Sequence, residues 1–249
     1  MSSQNRRIGR DRRAAPSVGE PLWYAHGFTD SDYYSSSAGA GTTTIGTVRA
    51  VLYVLSVPTA GVQKIIACKI SSSQVGWRLQ WGLGGISSLS AVFGGAVTGW
   101  AISPLYTITA GDVGELLVVH AHAGVGGVHI YVAGSEVGSG SGGTITPTDP
   151  GAESIVIGRY PHAGGLSEGG HCGVVSLCTS PTIMTPAEIA ADAAAIMSSG
   201  RRLVLPTTPG EDVRHVAFDA KPSGGPWPDR DGNNATLTET GSVSFTAVP

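Results

Sequence analysis

Apolar and polar positions along this chain change their spacing once. Between Val48 and Cys178 the apolar residues fall in short runs separated by Gly, Ser, Thr and Pro, and from Thr185 they recur at three- and four-residue intervals. The first pattern predicts β-strands and the second a helix. Val48 to Val57, Lys64 to Ile70, Trp77 to Leu83 and Glu115 to Ala123 read as strands. His129-Ile130-Tyr131-Val132 is rich in β-branched and aromatic types, and Ala133-Gly134 stops it where a tight turn reverses the chain. Ser154 to Arg159, around Ile155, Val156 and Ile157, and Cys172 to Cys178, around Val174, Val175 and Leu177, predict two more. The intervening loop from Gly138 to Gly151 is Gly, Ser, Thr and Pro, a composition expected on the surface and outside the core.

The helix has a start signal of its own. Thr185 is placed to cap it, Pro186 occupies the first helical position where its missing N–H costs nothing, and Glu188 stands three residues after the cap in capping-box spacing. Alanines carry it to Met197, and Gly200 is placed to end it. Ile189, Ala193 and Ile196 form the packing stripe, with Asp192 and Ser199 expected outward. Beyond it, Pro206, Pro209, Pro222, Pro226 and Pro228 stiffen the chain. A strand near Val216 and Phe218, the turn Asp231-Gly232-Asn233-Asn234, and a last hairpin from Leu237 to Phe245 then close the sandwich or pair with a neighbour. The resulting organisation is a basic arm (1–20), an all-β body (21–205) and C-terminal strands (206–249).

The order of these elements resembles the laminin-G-like, concanavalin A-like jelly-roll domains. In that family a Tyr-Val-x-Gly strand end, an Ile-Gly strand, a Gly-Val strand and a short Thr-x-x-Glu-Ile helix follow in sequence. The matching residues are Tyr131-Val132-Ala133-Gly134, Ile157-Gly158, Gly173-Val174-Val175 and Met184-Thr185-Pro186-Ala187-Glu188-Ile189. They cover about a third of the chain. Ala133 departs from the family's usual Asp or Asn. The resemblance implies an all-β jelly-roll sandwich with one short helix near 186–198, and carbohydrate binding as a family-level function.

Composition agrees with this. The chain has 249 residues, 37 of them Gly, and only 13% are charged, which describes a folded, turn-dense sandwich rather than a disordered chain. There is no apolar run of 18 residues to span a membrane as a helix and no apolar segment behind the N-terminal basic residues to act as a secretory signal. Synthesis in the cytoplasm is the expectation. Three cysteines, Cys68, Cys172 and Cys178, are too few for a disulfide framework, although a Cys172–Cys178 bridge stays open.

Charge is unevenly spread. Arg6, Arg7, Arg10, Arg12 and Arg13 face Asp11 alone, so the first 13 residues carry +4 and the rest of the chain −7. Such an arm is either solvated or lays guanidinium forks against the carboxylates of a partner subunit; nucleic acid is the less favoured partner.

Catalytic and metal signals are thin. Hydrolysis of a glycoside needs two carboxylates flanking one bond, and alternate positions on a strand supply such a pair. Asp30 with Asp32, and Asp229 with Asp231, have the spacing but lie in turn-rich sequence. His120 and His122 share a strand face, and register decides whether His129 joins them. His171-Cys172 with Cys178 lacks a fourth ligand, and Asp229-Arg230-Asp231-Gly232-Asn233 lacks the closing Glu of a calcium loop. No cofactor, metal or enzymatic activity is therefore expected. Sugars pack on flat rings, and Trp23, Tyr24, Tyr33, Tyr34, Trp77, Trp81, Trp100 and Trp227 supply rings, with core packing the default for each tryptophan. Two functions follow. One is a non-enzymatic structural or accessory subunit on the surface of a phage-like virion or similar particle, homo-oligomeric and anchored by its arginine arm. The other is a carbohydrate-binding adhesin module.

Overall fold

The computed structural model describes residues 22–37, 46–82, 86–97, 99–138, 143–198, 214–217 and 236–249, with 214–217 as backbone. Two antiparallel sheets stack into a sandwich. The strands are β1 Trp23–His26, β2 Tyr33–Ser36, β3 Thr47–Val54, β4 Lys64–Ile70, β5 Gly76–Trp81, β6 Ser88–Gly95, β7 Gly99–Ile102, β8 Tyr106–Thr107, β9 Leu116–Gly124, β10 Gly127–Val132, β11 Ser135–Glu136, β12 Val156–Ile157, β13 Cys172–Ser180, β14 Arg214–Ala217, β15 Leu237–Thr240 and β16 Ser244–Ala247. Helix α1 spans Pro186–Ser198. The first sheet runs β11-β10-β9-β3-β13-β1-β16, with β14 also on β13; the second runs β15-β2-β12-β4-β5-β6-β7, with β8 also on β6.

The core lies between the inner faces. Alternate residues of both sheets meet there, among them Ala50, Leu52, Val119, Ala121, Ile130 and Val174 from the first and Tyr34, Trp77, Leu79, Trp81, Ala91 and Phe93 from the second. Each large side chain so buried contributes about 1.5–3 kcal/mol. A second cluster, Val51, Tyr53, Val118, Val175, Ala193 and Ile196, seats α1 on the outer face of the first sheet. A third, Ile65, Cys68, Ile70, Val156 and Tyr160, sits on the outer face of the second.

Several expectations are met and several corrected. The capping box forms: the Thr185 N–H and hydroxyl donate to Glu188 Oε2 at 2.7 and 2.8 Å, and the Glu188 N–H donates back to Thr185 Oγ1 at 3.3 Å. Asp192 is not outward. It is 4% exposed and shares the buried stripe with Ile189, Ala193 and Ile196, because positions three and four apart lie on one helix face and a charge takes the inward position when partners wait there. The 154–159 strand shrinks to Val156–Ile157, since Gly158 (φ +95) turns the chain and leaves space that the Phe28 ring fills. The 138–151 loop does contribute core: Ile145 is buried, and Asp149 pairs with the buried Lys69 at 2.6 Å.

β15 and β16 do not form a hairpin with each other. β15 joins β2 in the second sheet and β16 joins β1 in the first, so Gly241 carries the chain between the layers. The Cys172–Cys178 bridge is not made. Neither residue is in a disulfide, and six residues of one extended strand hold the two about 20 Å apart, beyond the reach of such a bridge. The strands β1, β2, β6, β7 and β8 have no counterpart among the runs read from sequence. The arm with Arg6, Arg7, Arg10, Arg12 and Arg13, and the residues Asp229, Asp231, Trp227, Ser199 and Gly200, lie outside the described residues.

Candidate functional site

After β12 the chain doubles back across the outer face of β4. Gly158 N–H donates to the Ile66 carbonyl, the Cys68 thiol meets the Arg159 carbonyl at 3.7 Å, and His162 Nε2 reaches the Ile70 carbonyl at 2.7 Å. A carbonyl only accepts, so Nε2 is the donor in this bond. This return strip meets the β1–β2 loop, where Arg159 Nη1 donates to the Asp30 carbonyl at 2.7 Å and the Gly165 N–H to Asp30 Oδ2 at 2.6 Å. Between the two segments lies an open cavity of about 270 Å³ lined by Asp30, Arg159, Pro161, His162, Ala163 and Gly164.

Rings and a second cation pack behind the residues that line the cavity. The Arg159 guanidinium lies 4.2 Å from the centre of the Tyr33 ring, a cation–π contact that holds the fork flat. Tyr160 packs edge-on to His162, with ring centres 5.5 Å apart, and its hydroxyl accepts from Gln74 Nε2 at 2.9 Å. Gln74 Oε1 in turn accepts from Arg78 Nη1 at 2.7 Å. Burial lowers the Arg78 pKa, partly offset by Tyr160 and Cys68. His162 stands 3.5 Å from Glu153.

The Asp30/Asp32 pair read from sequence does not act as one unit. Asp30 lines the cavity, whereas Asp32 is consumed by structure, accepting from the Thr29 hydroxyl at 2.5 Å and the Ser242 N–H at 2.7 Å. Those hydrogen bonds lower its pKa. The histidines do meet: His129 pairs directly with His122 across β9 and β10, and their rings stack at 5.0 Å. Their neighbours are structural. His120 bonds Asp192 and His129 bonds Glu136, and among the described residues no group of three or more His, Cys, Asp or Glu is arranged to hold a metal ion.

Of the aromatic candidates, Tyr24, Tyr34, Trp77 and Trp81 are buried, Trp23 and Tyr33 are half-buried, and Trp100 is 53% exposed. Arg159 and His162 had no sequence signal. They follow β12 in a loop whose reversal over β4 is set by tertiary contacts. Glu168 was likewise missed: fully buried, it accepts from the N–H groups of Gly170, His171 and Cys172 and from Trp81 Nε1, and so ties the end of this loop to β13. Burial raises its pKa against those hydrogen bonds.

No family profile matches the chain, and no curated protein matches it in sequence. Among solved structures it is similar to a candidate carbohydrate-binding protein from Bacteroides ovatus, with 16% identity and a TM-score of 0.58 over 91% of this chain and 60% of that one. The chain thus spans about three fifths of that protein's length. It is also similar to a heptameric SAP-like pentraxin from Limulus polyphemus (14% identity, TM-score 0.40, 84% of this chain and 95% of that one). A further likeness is to domains LG4-5 of the mouse laminin alpha1 chain (13%, 0.47, 67% and 44%). The fold is the laminin-G-like, concanavalin A-like jelly roll that the sequence resembles. Among the described residues no helix is long and apolar enough to cross a membrane.

Proposed function

We propose that this chain is a carbohydrate-binding module whose site is the cavity between the β1–β2 loop and the strip that follows β12. One observation carries the reading: an open recess of about 270 Å³ is lined by a cationic donor, Arg159, and a carboxylate acceptor, Asp30, beside the His162 ring. Small-molecule pockets start near 300 Å³, so a recess of this size suits a single sugar ring. A sugar presents hydroxyls that both donate and accept, and apolar C–H faces. Arg159 donates, Asp30 accepts, and the His162 ring and Pro161 supply apolar surface in the same recess, with Tyr33 and Tyr160 packed behind Arg159 and His162. Binding without hydrolysis fits the separation of Asp30 from Asp32, since Asp32 is spent on Thr29 and Ser242.

A glycan array probed with the purified chain tests the reading, followed by titration of the best ligand against Arg159→Ala and Asp30→Ala. Both residues are partly or fully exposed, so the variants should fold. Binding that falls at least tenfold in each supports the site. Equal binding by both variants removes it.

The arginine arm supports a separate role as an anchor in a particle, through Arg6, Arg7, Arg10, Arg12 and Arg13. Light scattering of the full chain against one beginning at Ser17 tests this. An oligomer that becomes a monomer on truncation supports anchoring, and an unchanged mass removes it.

A further inference from the structure

On the same outer face of the second sheet, one tryptophan is out of keeping with the others. Trp77 and Trp81 point inward and are 1% and 0% exposed, whereas Trp100 on the edge strand β7 is 53% exposed. Register explains its direction. Ala101 pairs with Phe93 of the core, so Trp100 and its partner Gly94 face outward, and Gly94 pairs in turn with Gly76. Two adjacent glycines leave a floor without side chains next to the ring. The Gln74 carbonyl lies over that floor: a Cβ added at Gly94 would sit within 3.3 Å of Trp100 Cβ and clash with the Gln74 oxygen. Gln74 is also the residue that bonds Tyr160 and Arg78, so the exposed ring is continuous with the aromatic and polar strip leading to the cavity.

We infer that Trp100 is a distal sugar-binding subsite and that the ligand is an extended glycan chain lying across the strands, from Trp100 on β7 to Arg159 and Tyr33 at β2. This rests on the carbohydrate-binding reading above and deepens it. The order β7-β6-β5-β4-β12-β2 puts five strand spacings, about 24 Å, between the two ends, room for several linked pyranose rings. The cavity grips one ring by hydrogen bonds. Trp100 offers a flat apolar surface to a ring further along, and Gln74 and Arg78 stand between as polar contacts.

The experiment compares wild type with Trp100→Ala for two sets of ligands by titration calorimetry and tryptophan fluorescence. One set is glucose, galactose, mannose, xylose and N-acetylglucosamine; the other is their linked oligomers of two to six units. The expected result is wild-type affinity that rises with chain length, a drop of about tenfold for the longer oligomers in Trp100→Ala, and unchanged affinity for the single sugar. Trp100→Phe should restore most of the loss. Oligomer affinity equal in wild type and Trp100→Ala overturns the inference and leaves the cavity reading standing. Failure of every sugar, single or linked, to bind wild type overturns the cavity reading itself. The melting temperature of Trp100→Ala, unchanged for an exposed edge residue, separates lost binding from lost fold.

Discussion

Asp192 of α1 and Arg49 of β3 face each other across the seam between helix and sheet. Nη1 lies 2.8 and 2.9 Å from the two carboxylate oxygens, and both side chains are at most 5% exposed. His120 of β9, opposite Arg49 in register, completes the group by holding Asp192 Oδ2 at 2.7 Å. The carboxylate pKa is lowered, as His120 and Arg49 overcome the opposing effect of burial. The apolar contacts of α1 here are small, Ala193 and Ile196 against Val51, Val118 and Val175. The buried ion pair joins these apolar contacts in seating the helix.

Removing one partner strands the other. Asp192→Ala is expected to cost about 3–5 kcal/mol in denaturant unfolding, because Arg49 would remain buried without its counter-charge. Replacing both, with Arg49→Met and Asp192→Leu, should cost clearly less than the single change. Equal losses would show that the pair matters only as packing.

Acid should weaken the same region. Burial lowers the pKa of His120 and brings that of His122 to about 4, with nearby His129 adding to the effect. Geometry gives the reason for His120: Nε2–H already donates to the carboxylate, so a second proton must enter at Nδ1, which is buried without an acceptor. A histidine with a lowered pKa binds protons more readily in the unfolded chain. Its contribution to stability is complete above about 6.5 and is lost as pH falls toward the folded value. For His122 that amounts to about 3 kcal/mol between pH 6.5 and 4. Urea midpoints recorded across this range should fall, and His122→Phe should flatten the curve. Asp192 adds its own loss only below its unfolded pKa near 3.8.

The β10–β11 turn holds a strained alanine. Ala133 and Gly134 both have positive φ, +50° and +83°, the signature of a two-residue hairpin turn that favours Asn-Gly. Ala133→Asn should raise stability by about 1 kcal/mol, read as a higher melting temperature. Gly134→Ala should act oppositely, because its Cβ would come within 3.0 Å of Ala190 on α1.

The thiols should be silent. Burial pushes Cys68 up to about 12 and raises Cys172 well above the usual thiol range, where Glu168 adds to the effect, and Cys178 is also buried. A thiol reagent at pH 8 should label none in the native protein and all three after denaturation. Rapid native labelling of Cys68 would contradict the burial of the outer face of β4, and of Cys172 or Cys178 the burial of β13.

Short-range signals were legible where the chain's own geometry sufficed. Thr185, Pro186 and Glu188 sit within one helical turn, and the Ala133-Gly134 stop needs only two residues, so helix and hairpin were both readable. Strands dense in Val, Ile and Leu were readable for the same reason. β6 and β7 were not, since Ser-Leu-Ser-Ala-Val-Phe-Gly-Gly and Gly-Trp-Ala-Ile become strands by pairing with β5 and with each other.

The residues therefore settle the fold class, the helix and its cap, because period, propensity and capping act over a few positions. The site belongs to longer range. Asp30 and Arg159 are 129 positions apart and meet only when the chain turns at Gly158 and returns over β4; Asp192 turns inward only because Arg49 and His120 meet it across the seam. Trp100 faces outward by register, and register is a property of paired strands that no single strand carries.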